Sequence, residues 1–143
     1  MKRPLPDLDL SPIVHYTLDD QHHIHEEPDL LAWGRWMESS RKQCVVKQEN
    51  VGTYRVSTIF LGFNHDILHR SPPILFETMV FRQATPDEIR SMEEGGVWPK
   101  SYIEAVRAGE RLVSTGEQRR CRTWDEALRM HADVVKTLET PKQ

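Results

Sequence analysis

The 143 residues contain no window approaching the ~20 consecutive apolar positions that a membrane-crossing helix needs. The basic start Met1-Lys2-Arg3 is followed by Pro4, Pro6, Asp7, Asp9 and Pro12, which break up any apolar stretch of signal-peptide length, so a cytoplasmic protein is expected, without membrane contact. Only two cysteines are present, Cys44 and Cys121, with no CxxC spacing. That excludes a disulfide scaffold or a zinc ribbon and reads as two small buried hydrophobes. Neither sign of charge dominates: 19 Lys and Arg stand against 22 Asp and Glu. A field so weak argues against DNA, RNA or an anionic bilayer as partner. There is also no HExxH, no G-x-S-x-G and no internal repeat.

What is present suffices for one folded unit. The length matches a single domain, and 34 Leu, Ile, Val and Phe can supply a modest core. Residues 1–15, rich in Pro and Asp, read as a flexible N-terminal arm, leaving a single domain over 16–140. Residues 16–27 predict a small hairpin turning at Asp19-Asp20-Gln21. Pro28-Asp29 opens a helix carrying Leu30, Trp33, Trp36 and Met37, with Arg41 and Lys42 placed against its C-terminal dipole.

Strands are expected over 44–48 and 53–63, joined by a turn at Asn50-Val51-Gly52, and over 74–81. The last is apolar on both parities and needs cover on both faces, one by the C-terminal helix and the other by the Trp33 helix or a second copy of the chain, a homodimer. Three helix starts share the Ser/Thr-x-x-Glu pattern of a capping box, at Thr85, Ser101 and Thr123. The first two helices are short and stop at Gly95-Gly96 and Gly109, forming an insertion over 84–117. A short strand over 118–122 precedes the third, in which Trp124, Ala127, Leu128, Val134, Val135 and Leu138 make one apolar stripe. The expected fold is α+β: an antiparallel sheet of three to four strands covered by two main helices, with an inserted pair of short helices.

Trp33 to Glu38, then STIFLG running into His65, then PPILFETMVF, then TWDEALRMH at 123–131 follow one another in these structural slots. In this the chain resembles a family of small uncharacterised bacteriophage and prophage proteins with the motifs S-T-x-F-L-G-x-x-H, L-F-E-T-M-x-F and T-W-x-E-A-x-x-x-H. The resemblance covers about two thirds of the chain and implies a small phage-type accessory protein in the host cytoplasm, acting by binding a host protein or a small molecule. The 84–117 insertion departs from that pattern.

Candidate chemistry is sparse, and no cofactor or metal is expected. His22, His23 and His25 sit in a polar turn, and His65 with His69 in a proline-containing loop, neither of them a metal scaffold. Arg119, Arg120 and Arg122 read as a charge-protected edge strand. The strongest grouping is His65, Glu77 and His131. Glu77 interrupts an apolar strand and must find donors, while His131 lies within the apolar stripe of the last helix. If Glu77 and His131 meet, with His65 at the mouth of the same groove, they form a polar ligand site or, alternatively, the acid–base centre of a hydrolase. Ser57 and Thr58 are the nearby hydroxyls, expected to form cross-strand hydrogen bonds or to line that site.

Overall fold

The computed structural model describes residues 14–140, so most of the expected arm lies outside the described residues; His15, placed at the end of that arm, pairs in a strand. Strands β1 (His15–Leu18) and β2 (Ile24–Glu27) form the expected hairpin. Asp19 closes its turn, its carboxylate accepting from the Gln21 and His23 amides at 2.9 Å each and from His25 Nε2 at 2.8 Å. Those bonds, the His25 one foremost, hold the Asp19 carboxyl well below the usual carboxylate range.

Helix α1 (Leu30–Ser39) starts where Asp29 caps the Leu31 and Ala32 amides. Arg41 and Lys42 fall beyond its C-cap, Ser40, so the last turn carries no basic residue and the expected dipole complement is absent.

The main sheet has four antiparallel strands in the order β3 (Val45–Val51), β4 (Tyr54–Phe60), β5 (Phe76–Arg82), β6 (Val113–Cys121). The β3–β4 turn is Gly52-Thr53, one step later than expected: Val51 pairs with Tyr54, and Gly52 takes the φ of +59° that such a tight turn requires. Strand β6 is nine residues long and begins inside the segment assigned to the insertion. Helices α2 (Pro86–Gly95) and α3 (Lys100–Arg107) fill the rest of that segment and pack on each other. Thr85 makes the full capping box with Glu88. Ser101 caps nothing, since the N-cap position is held by Pro99, two residues earlier, and Ser101 lies inside α3.

Helix α4 (Trp124–Glu139) starts on Thr123, whose hydroxyl accepts from the Glu126 amide. Its sheet-facing residues are Ala127, His131 and Val134, one turn apart and all buried. Leu128 was expected in this stripe but is 41% exposed, because one position along a helix rotates a side chain by ~100°, out of the seam.

Cross-strand partners share a face, so the register sorts the sheet. Glu49, Val56 and Val80, then Thr58 and Thr78, then Phe60, Phe76 and Cys121 face α4. Ser57, Met79 and Gln118, with Ile59, Glu77 and Arg120, face the other way. The inner side holds two apolar clusters. One gathers Leu18, Cys44, Phe60, Phe76 and Ala127 with Trp36 and Trp124; the other is Val56, Val80 and Val134 with Tyr54 and Leu138.

Because Trp36 packs edge-on against Phe60 at 6.0 Å, α1 lies on the same side as α4. The expectation that the Trp33 helix covers the opposite face is therefore wrong: α1 and the β1–β2 hairpin complete one end of the inner layer. Gly62 permits this approach, since a Cβ there would stand 3.0 Å from Met37 Sδ and 3.1 Å from the Trp33 ring, at a φ of +83°. On the outer face Ile59, Met79 and Phe81 are half-buried among longer polar neighbours.

These placements order the cost of charge insertion into α4. Val134→Asp buries an unpaired carboxylate and is expected to cost more than about 3 kcal/mol, whereas Leu128→Asp, near the helix N-terminus and in solvent, stays within about 0.5 kcal/mol. Paired urea melts check the difference.

Candidate functional site

Between the two apolar clusters runs one chain of polar groups. Thr78 Oγ1 and Thr58 Oγ1 are 2.5 Å apart, Thr58 Oγ1 lies 2.7 Å from His131 Nδ1, and His131 Nε2 lies 2.8 Å from Glu49 Oε1. Thr58, Thr78 and His131 are completely buried, and only the Glu49 carboxylate reaches water. A neutral imidazole satisfies every member in one direction: Thr78 donates to Thr58, Thr58 to Nδ1, and Nε2–H to Glu49.

Hydroxyl, imidazole and carboxylate in series have the composition of a nucleophilic triad. The hydroxyl here lies mid-strand beneath a helix with no exposed surface, so no substrate reaches it. What the series does is satisfy polar groups in a closed core.

Glu77 lies on the other side of the sheet. Its Oε2 accepts from Gln118 Nε2 at 2.6 Å and Arg120 Nε at 2.8 Å, both on the neighbouring strand. The expected meeting of Glu77 with His131 therefore does not occur: the one-residue alternation of β5 turns Thr78 toward α4 and Glu77 away from it. The demand of Glu77 for donors was read correctly, but its partners are Gln118 and Arg120.

His65 falls on the Glu77 side. Its ring packs 4.3 Å from that of Phe63, and Nε2 is buried with no hydrogen-bond partner among the described residues. Burial lowers its pKa, the nearby Arg120 cation lowers it further, and Glu77 acts in the opposite sense. Of the five residues assigned to one site, His65 and Glu77 share the outer side with Ser57, whose hydroxyl accepts from Gln48 Nε2 at 2.9 Å. Thr58 and His131 share the interior.

No group of three or more His, Cys, Asp or Glu among the described residues is arranged to hold a metal ion. His22 stacks on Trp124 at 3.6 Å with its planes 3° apart, so it belongs to packing as well as to the turn.

The loop 64–73, between β4 and β5, is built around two side chains. Asn64 Oδ1 accepts from the Asp66 and Ile74 amides at 2.9 Å each. Asp66, nearly buried, accepts from the Leu68 amide at 3.0 Å, from Arg70 Nε at 2.8 Å and from Arg122 at 3.5 Å, while Arg122 also donates to the Pro72 carbonyl. The Arg70 hydrogen bond is the largest of the effects that bring the Asp66 pKa down to about 2. Sequence reading missed this node and passed over Arg122 as a solvated charge.

The chain matches no protein-family model, no curated protein and no solved structure.

Two outcomes are expected from these networks. Thr58→Val leaves buried polar groups unpaired and costs about 2 kcal/mol, whereas Thr58→Val with Thr78→Val and His131→Leu, apolar and of similar shape, recovers most of it in urea melts. Asp66, held below its unfolded pKa of about 3.9, contributes stability in full above about pH 4 and loses it as the pH falls through about 2. Carboxyl NMR titration in Arg70→Gln should show the Asp66 midpoint moving upward.

Proposed function

We propose that this chain is a small, non-catalytic binding protein, an accessory factor of the phage type that its motifs resemble, and that its partner is another protein. The observation that carries this reading is a group of exposed apolar side chains at one end of the molecule, apart from exposed Val97 and Trp98 between α2 and α3. Ile67 is 90% exposed and Leu68 72%, on a loop whose backbone is fixed by Asn64 and Asp66. Val14, Leu30 and Leu31, also exposed, belong to segments that meet the same place.

The meeting point is an aromatic series. His15 lies 4.3 Å from Trp33, Trp33 lies 6.5 Å from Phe63, and Phe63 lies 4.3 Å from His65. A His15–Phe63 bridge and the Tyr16 N–H donated to the Gly62 carbonyl at 2.7 Å tie the hairpin to that end of β4. Apolar groups held out from an ordered backbone lose little entropy on docking, which is what a protein interface requires. An enzyme built on His65, Glu77 and His131 together has no support, because the sheet separates His131 from the other two.

The test is a photo-crosslinking residue at position 68 of the full chain, with one at the exposed Leu128 as reference, in lysate of the host. A discrete adduct at 68 alone, competed by unmodified protein and lost from Ile67→Asp with an unchanged melt, is expected. Identical labelling from 68 and 128 overturns the reading.

A further inference from the structure

Helix α4 crosses the inner face obliquely. Its first residue, Trp124, packs on Phe76, whereas Leu138, near its end, joins Val51 and Tyr54 beside the β3–β4 turn. The Val113 half of β6 is thereby left without a helix over it, and a cleft of about 630 Å³ opens between that half and the last turns of α4. The volume lies within the range of small-ligand sites. Val80 and Val134 form its floor together with Leu138, and the hydroxyl-bearing residues Tyr54, Thr115 and Thr137 stand at its walls.

Two arginines face this space, and they are not equivalent. The guanidinium of Arg82 is occupied, with Nη1 and Nη2 on the two oxygens of Glu88 at 2.7 and 3.0 Å. Arg119 is bound on one side only: Glu117 accepts from its Nε at 2.9 Å, and its two Nη groups have no partner among the described residues. A carboxylate on Nε orients a guanidinium while leaving the Nη edge free for a second, bidentate anion. Strand β6 is shaped for this arrangement by a bulge opposite Val80, where Gly116 takes a φ of +88° and Thr115 donates to the Val80 carbonyl at 3.1 Å.

We propose that this cleft binds a small aliphatic monocarboxylate, its chain over Val80, Val134 and Leu138 and its carboxylate on the free edge of Arg119. The carboxylate takes the Nη edge of Arg119 that Glu117 leaves open, and the apolar floor rewards a hydrocarbon body that inorganic phosphate lacks. The site lies at the opposite end of the strands from the Ile67–Leu68 loop and stands independently of the protein-binding reading.

The probe is octanoate, titrated into the full isotope-labelled chain and followed by amide shifts and calorimetry, with octanol and inorganic phosphate alongside. Saturable shifts confined to Val80, Arg119, Val134 and Leu138 are expected, with octanol and the Arg119→Gln variant each about tenfold weaker through loss of the charged hydrogen bonds. Thr137→Trp, at an exposed helix position that overhangs the cleft, should abolish binding while melting normally. Equal affinity for octanol and octanoate, unchanged affinity in Arg119→Gln, or shifts at Ile67 and Leu68 instead would overturn the assignment.

Discussion

The contact on which the rest of the architecture depends is that of His131 with Thr58. It is the polar rung between two apolar clusters that would otherwise merge into one slippery seam. Valine, alanine and phenylalanine surfaces tolerate sliding by a turn at small cost, whereas a buried imidazole that loses its hydroxyl and its carboxylate is left with two unsatisfied nitrogens. The rung therefore fixes the register of α4 on β4 and β5. Once α4 is fixed, so is the space left for α1 and the hairpin at one end and for the cleft at the other. Glu49, the only member of the series in contact with water, connects this interior rung to the edge strand β3.

Most elements were legible in the sequence because their signals are local. Asp29, Thr85 and Thr123 cap helices through bonds spanning two or three residues, and the alternation of β5 is visible over seven positions. Ser101 failed because a hydroxyl followed by a glutamate satisfies the pattern whether or not the helix starts there. Pro99 holds the N-cap position instead, its carbonyl accepting from the Tyr102 and Ile103 amides at 3.1 and 3.2 Å.

The site was less legible, for a reason that a single displaced turn illustrates. Placing the β3–β4 turn at Asn50-Val51-Gly52 ends β3 before Glu49, so the carboxylate that holds His131 disappears into a loop. With the turn at Gly52-Thr53, Glu49 is opposite Val56 and faces α4. His131 was correctly read as facing inward, and Glu77 as needing donors, but pairing them required knowing which parity of β5 the helix covers. That parity is set by the Phe60–Phe76 contact across two strands and by the Trp124–Phe76 contact from the helix, neither of which leaves a trace in local periodicity. Composition was equally silent on Asp66, whose partners at 70 and 122 are joined by the folding of β5 and β6 between them.

The distribution of satisfied and unsatisfied groups decides where binding can happen. Most buried polar groups are committed to one another: Thr58 to His131, Glu77 to Arg120, Asp66 to Arg70 and Arg122, whereas His65 Nε2 has no partner among the described residues. None of those paired groups can respond to a ligand without loss of fold stability. Uncommitted capacity is found instead at the two ends of the strands, as apolar side chains on the Asn64-braced loop and as the free edge of Arg119. Surface sites of this kind can change partner chemistry by substitution while Thr58, His131 and Glu49 continue to hold α4 in place. On the readings proposed above, the inner layer keeps the fold while recognition falls to its margins, where a substitution does not disturb the buried polar rung.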